Sequence, residues 1–214
     1  MSKLIKIQKP KFVDDLYEIE DIYDEFIYED TIKNKTIENI TISDKNDTSV
    51  TIDSCIFKNV TFESCTFPRI DLIDTKFENC DLSNVSFSGG SIHRVEFINC
   101  KLVGSKFDDC IIKDVLFENT LAKYCNFSFS KFKGANIIET NLCDAIFQEA
   151  QLNKVCFKNS DLSNCYFNKT SLTKLDLTTC DISNIDVEIK DLYGTEVTAM
   201  QALDLTRLMG LVIK

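Results

Sequence analysis

Apolar side chains recur at every fifth position from Ile52 onward: Phe57, Phe62, Phe67, Leu72, Phe77, Leu82, Phe87, Ile92, Phe97, Leu102, Phe107, Ile112 and Phe117. After the small Ala122 the series resumes at Phe127 and runs through Phe167 and Val187 to Leu192. A helix places apolar residues at a period of 3.6 and a half-buried strand at a period of 2, so neither explains the pattern. A period of five held over residues 52–192 means one short unit repeated, which predicts a solenoid. The position two residues before each of these is restricted as well, holding Cys55, Val60, Cys65, Ile70, Thr75, Cys80, Val85, Gly90 and Val95. One small and one large inward residue per side is what stacked layers need to close-pack.

A second period sets the shape. Phe-x-Asn recurs at Phe57–Asn59, Phe77–Asn79, Phe97–Asn99, Phe117–Asn119 and Phe157–Asn159, always at multiples of twenty residues. Four pentapeptides therefore make one coil, and Asn59, Asn79, Asn99 and Asn119 are expected to stack in a ladder along one edge. The same corner position holds Gly89, Gly104, Gly134 and Gly194, and Gly and Asn are the residues that accept the positive φ of tight turns. Ile32, Ile37 and Ile42 keep the frame but Asp47 breaks it, so residues 31–50 read as a degenerate first coil before a rod at 51–194. At about 4.8 Å per coil the stretch from Ile52 to Leu192 spans about 34 Å. The frame has no insertion, so no long loop projects from it.

The frame also decides the cysteines. Eight of the ten fall at the small inward position, with Cys143 and Cys156 the exceptions, and their spacings are multiples of five instead of metal-binding pairs. They read as buried, inert core residues. Free thiols with no secretory leader at Met1–Lys6 predict a reducing, cytoplasmic setting, and no run is apolar for long enough to span a membrane.

Charge is uneven. The net charge is −10, yet residues 14–30 hold nine acids and no base, while residues 1–13 carry +4, leaving −5 for residues 31–214. An acidic surface argues against direct nucleic-acid binding, which needs clustered Lys or Arg. It suits a partner whose groove normally takes DNA. Asp161, Asp176, Asp181, Asp186 and Asp191 occupy the polar position before the central residue near the end of the rod and form a candidate acidic partner-binding face. The alternative is that Asp or Asn stands there for turn chemistry alone.

The two ends depart from the frame. Leu16, Ile19, Tyr23, Phe26 and Ile27 fall near helical spacing, with Asp14 as N-cap, so residues 1–30 read as an acidic segment that caps the first coil. A partner-binding arm is the other reading of that segment. At the other end Thr198-Ala199-Met200-Gln201 predicts a capping box that opens a helix running to Met209, with Gly210 at C′. Its apolar residues fall all round the helical wheel, more than the end of a rod can cover. Met200, Leu203, Leu205, Leu208 and Met209, with a short strand at Leu211, Val212 and Ile213, are the expected homodimer interface of the 195–214 unit. A simple cap over the last coil is the plainer alternative.

The repeated unit resembles that of the pentapeptide-repeat family. That resemblance implies an all-β solenoid, the right-handed quadrilateral β-helix. The repeat rod ending in a helix and then Leu208-Met209-Gly210-Leu211-Val212-Ile213 resembles, over residues 50–214, the Qnr-type quinolone-resistance proteins and their chromosomal Gram-positive relatives. What this implies is a tail-to-tail dimer that mimics duplex DNA and binds DNA gyrase, with topoisomerase IV as a second candidate target, and that inhibits the enzyme, shields it from fluoroquinolones, or both. Many Qnr proteins of Gram-negative bacteria carry projecting loops that matter for protection. Their lack here makes gyrase inhibition the firmer expectation.

Enzyme chemistry finds no support in the sequence. The one histidine, His93, sits on the outer wall beside Arg94, and no P-loop, GxGxxG, HExxH or nucleophile elbow is present, so no catalytic residue, metal or cofactor is expected. A protein-interaction scaffold with an unrelated partner remains the alternative function.

Overall fold

A computed structural model describes residues 3–19 and 31–211. Short strands follow the pentapeptide frame and pair in parallel with the residue twenty positions on. Along one path β1 (Tyr17–Ile19), β3 (Lys35–Glu38), β6 (Ile56–Lys58), β8 (Asp71–Glu78), β9 (Ser91–Ile98), β10 (Ile111–Glu118), β11 (Lys131–Ile138) and β12 (Gln151–Lys158) lie side by side. The strands β2 (Thr31–Lys33) and β5 (Thr51–Asp53) join the same sheet, and β4 (Thr41–Ser43) pairs with β7 (Thr61–Glu63) on another side. The β4–β7 side continues as single parallel bridges such as Asp81↔Lys101, and the fourth side is built of such bridges, among them Ser86↔Lys106. The result is the four-sided solenoid that the repeat predicts.

The interior shows why the large position alternates. Between Leu72 and Phe167 two opposite sides of the coil supply mostly phenylalanine and the other two mostly Ile or Leu, so each of these layers holds two rings. Successive rings on one side stack, with centroids 4.9 Å apart for Phe57–Phe77, 5.1 Å for Phe77–Phe97 and 5.0 Å for Phe97–Phe117. The facing column (Phe87, Phe107, Phe127, Phe147, Phe167) stacks likewise and meets the first edge-on, as in Phe97–Phe107 at 83°. Stacking and edge-to-face contact are the two arrangements that a ring's charge distribution favours.

The small position does more than save space. The Cys55 thiol reaches the carbonyl of Ile32, Cys80 that of Phe57, Cys100 that of Phe77 and Cys125 that of Leu102. Thr75, Ser105 and Thr140 do the same to Ile52, Leu82 and Phe117. Each of these donors satisfies the main chain of the coil below, a bond that the apolar residues at the same position, such as Val60 and Ile70, do not make.

From Asn34 to Lys174 every corner turns through a left-handed residue. Asn59, Asn79 and Asn99 have φ of 51°, 54° and 53°, but Arg69, Tyr124, Phe129, Glu139 and Lys154 adopt the same conformation. The asparagine ladder is present: the Asn79 amide donates to Asn59, Asn99 to Asn79 at 3.2 Å, and Asn119 to Asn99 at 2.8 Å. Asn59 extends it to Asn39. Ile32, Ile37 and Ile42 are buried, while Asp47 stands half-buried at the fourth side of the first coil.

The helix expected from Asp14 does not form where it can be followed. Residues 17–19 form β1, which lies on the edge of β3 with Tyr17 opposite Lys35, so Leu16 and Ile19 do not belong to a helix begun by Asp14. The edge of the first coil offers unpaired N–H and C=O groups, and a strand satisfies them where a helix would not. Tyr23, Phe26 and Ile27 lie outside the described residues.

Candidate interaction surfaces

The C-terminal end is built from a short helix laid over the last coil. The capping box forms as the sequence predicts: the Gln201 N–H donates to the Thr198 hydroxyl and the Thr198 N–H to the Gln201 side chain at 2.8 Å. The helix α1 (Ala199–Leu205) then tightens into a 3-10 turn over Thr206–Met209 and stops at Gly210, whose φ is 71°. Gln201 has a second role. Its amide donates to the carbonyls of Leu177 and Cys180, and Arg207 donates to that of Ile185, which fastens the helix to the rod.

This docking divides the apolar tail residues. Leu205 and Leu208 pack with Val197 and Leu192 on the rod core, so they act as the cap and not as an outer interface. Met200, Leu203, Met209 and Leu211 face outward, with Met200 70% and Met209 63% exposed. Tyr193, 82% exposed, and Ile189 belong to the same end of the rod. Val212 and Ile213 lie outside the described residues.

The five aspartates do not gather on one side. Asp161 and Asp181 are bridge neighbours on one side, whereas Asp186 pairs beside Tyr166, and Asp176 beside Glu196, on others. Asp161, Asp176 and Asp181 each accept the N–H of a residue two positions on (Ser163, Thr178, Ser183), an Asx turn that closes the corner. The Thr178 hydroxyl, aided by its N–H, holds the Asp176 carboxyl below its ordinary range. Asp191 is half-buried, with Oδ2 enclosed and unpartnered among the described residues. The aspartates thus ring the end of the rod, each with a local turn or packing role, and Asp181 and Asp186 are the most open of them.

A further feature went unseen in the sequence. Residues 3–16 run lengthways along one corner of the rod in extended form. The Ile5 N–H donates to Asn136 Oδ1 and the Asn136 amide donates back to the Ile5 carbonyl, both at 2.9 Å. The Lys11 N–H donates to Asp74 at 2.8 Å and the Val13 N–H to the Ser54 hydroxyl at 3.2 Å. Asp74 also receives a two-pronged contact from Arg94, with both N–O distances 2.6 Å. Burial alone would raise the Asp74 carboxyl, but the Arg94 and Lys11 hydrogen bonds and the Arg94 charge outweigh it and hold it low. His93 lies beside this pair, 3.9 Å from Asp114, and burial with the Arg94 and Lys113 charges pushes its pKa down, so the ring is neutral near pH 7. Among the described residues no group of His, Cys, Asp or Glu is arranged to hold a metal ion, and no helix is long and apolar enough to cross a membrane.

Comparison with known proteins agrees with the repeat. A profile described as a pentapeptide repeat region matches residues 50–127, and one described as pentapeptide repeats (8 copies) matches residues 110–148, 125–164 and 145–184. No curated protein matches the chain. Among solved structures, a trypsin-treated variant of QnrB1, a plasmid-mediated fluoroquinolone resistance protein, is 22% identical with a TM-score of 0.47, covering 86% of this chain and 98% of its own. Full-length QnrB1 is 17% identical with a TM-score of 0.46, covering 82% and 100%. HetL, a pentapeptide-repeat protein involved in heterocyst differentiation regulation from the cyanobacterium Nostoc, is 13% identical with a TM-score of 0.30, covering 84% and 94%.

Proposed function

This chain belongs to the pentapeptide-repeat family, and from that premise we propose that it is a DNA-mimicking binding protein that dimerises through its C-terminal end and inhibits DNA gyrase. The observation that carries the reading is the outward apolar group Met200, Leu203, Met209 and Leu211 on a helix already fixed to the rod by Gln201 and Arg207. An exposed apolar cluster at the end of the rod fits a self-association surface. A two-fold contact there is isologous and closes, giving a dimer and not a filament.

Length and charge support the partner. The coils from Thr31 to Asp191, at about 4.8 Å each, make a rod of about 38 Å. Two joined end to end span about 80 Å, a little over 20 base pairs of duplex at about 3.4 Å each. Residues 161–204 contain eight acids and three bases, so a charge of −5 sits beside the proposed joint. Joining the ends brings two such regions together at the centre of the dimer, where a duplex would present its phosphates to the enzyme. The tail sequence that resembles Qnr-type proteins directs the choice to a type II topoisomerase. The rod has no projecting loop between residues 51 and 188, so inhibition is the primary activity and protection from fluoroquinolones the secondary one.

The test is a gyrase supercoiling assay with the wild type and with Leu203→Glu combined with Met209→Glu. Light scattering on the same samples should give a dimer for the wild type and a monomer for the variant. Supercoiling should fall at micromolar wild-type protein and recover with the variant. A monomeric wild type, or supercoiling untouched by it, refutes the proposal.

A further inference from the structure

We propose that the corner formed by Ser54, Asp74, Gly134 and Asn136 is a peptide-binding groove. It recognises an extended segment of the form Ile-x-Ile-x-x-Pro-x-Phe, which residues 5–12 supply in cis and which an equivalent peptide supplies in trans.

Three observations carry this. First, the groove reads main chain. Asn136, a buried residue, uses both ends of its amide on the N–H and C=O of Ile5, the exchange that a neighbouring strand would make. Asp74 and Ser54, also buried, take the N–H groups of Lys11 and Val13. The Asp74 hook is held in place by Arg94, which bonds both carboxylate oxygens and shares Oδ1 with the Lys11 N–H. Without an occupant the Asn136 amide would lose both of these partners and Asp74 one of its three.

Second, the strap alternates as a bound strand does. Ile5, Ile7, Pro10 and Phe12 are half-buried, whereas Lys6, Gln8, Lys9 and Lys11 are exposed. Pro10 has no N–H to offer and falls between the hooked residues, where its fixed φ suits extended chain. Gly134 lies under the strap: a Cβ there would be in ordinary contact with Ile7 Cγ2 at 3.6 Å, and its φ of +107° differs from the 54° to 55° of Asp114 and Arg94 at the same corner.

Third, the reach is right and the rod does not need the strap. From Ile5 at Asn136 to Val13 at Ser54 the strap descends four coils, about 19 Å at strand spacing, which eight extended residues cover with slack. Every member of the buried core cluster lies between Ile32 and Val187, so the groove stands on a rod with its own interior.

The test uses a labelled peptide of residues 3–14, fluorescence anisotropy, and a chain lacking residues 1–15. Saturable binding is expected to the shortened chain and not to the full-length one, whose groove is filled. Asn136→Ala should weaken it by about tenfold or more, the effect of two lost hydrogen bonds. A peptide with Ile5→Asp and Ile7→Asp should not bind. No saturable binding to a shortened chain that keeps its circular dichroism spectrum, or equal binding to both chains, overturns the proposal. A second measurement serves if the shortened chain does not fold. In the full-length protein the Ile5, Lys11 and Val13 amides should be protected from hydrogen exchange, and Asn136→Ala should release all three together. Exchange at free-peptide rates in the wild type would equally overturn it.

Discussion

Replacing Phe107 by alanine should remove a large part of the rod's stability. The ring is fully buried, stacked between Phe87 at 5.0 Å and Phe127 at 5.1 Å, and edge-on to Phe97 at 6.0 Å and Phe117 at 6.1 Å. Truncating a core phenylalanine costs about 3–5 kcal/mol, more where the surroundings cannot close on the cavity. Here they cannot. The layers are held apart by main-chain bonds such as Phe87 N–H to the Lys106 carbonyl and Phe107 N–H to that of Asn126, both 2.7 Å. Four aromatic contacts at about 0.5–1.5 kcal/mol each are lost besides, part of which the truncation figure already contains. A cost of about 4–5 kcal/mol follows. The control is Phe129→Ala, a ring of the same size that stands 44% exposed at a corner and should cost about 0.5 kcal/mol or less. Urea unfolding followed by circular dichroism, with slopes compared to confirm that the same surface unfolds, reads both. A Phe107→Ala cost under about 1.5 kcal/mol, or a control that costs as much, would show that the stacked column does not hold the coils together.

Three further outcomes follow from individual sites. Gly90→Ala should destabilise by about 1–3 kcal/mol, because its Cβ would meet the Phe87 and Ile70 carbonyls at 2.8 and 2.9 Å, whereas Gly89→Asn should be near neutral at a corner that asparagine fills elsewhere; thermal melts of the two distinguish them. An Ellman titration of the native protein should show one fast thiol, Cys143, and ten after denaturation, since the other nine are buried and burial raises Cys55 to about 11 and Cys110 to about 12. The Asp74 carboxyl, which burial would raise, is held by Arg94 and the Lys11 N–H below its ordinary 3.8. Its contribution is therefore complete above that value and lost as pH falls through the lower folded value. A fluorophore at residue 3 should gain mobility only as the pH falls below that ordinary 3.8, and Asp74→Asn should remove that dependence.

The rod was legible in the sequence because its determinant is local and repeated. Each pentapeptide carries its own inward pair and its own corner, so Phe57, Cys55 and Asn59 state the rule that Phe97, Val95 and Asn99 restate. The capping box was legible for the same reason, since Thr198 and Gln201 complete each other within one turn. The strap was not. Its hooks, Asn136, Asp74 and Ser54, sit at outward positions where the repeat tolerates almost any residue, and nothing in the frame singles them out. Leu16 and Ile19 are three apart, which suits a helix as well as the strand that forms, and only the open edge of β3 decides between them. The division of the tail was hidden too: Leu205 faces the rod and Leu203 faces away, an outcome set by where Gln201 ties the helix down. The alternation of Ile5, Ile7, Pro10 and Phe12 with lysine and glutamine was a signal in the sequence that could have suggested a docked strand.

The most direct test of DNA mimicry is competition for gyrase. A labelled duplex bound to gyrase is titrated with the wild-type protein and with the Leu203→Glu, Met209→Glu variant, and the bound fraction of duplex is measured. If the acidic rod takes the place of the duplex, the wild type displaces it in proportion to dimer concentration, less effectively as salt is raised, and the variant displaces little. Duplex that stays bound while the protein joins it in a ternary complex would contradict the account.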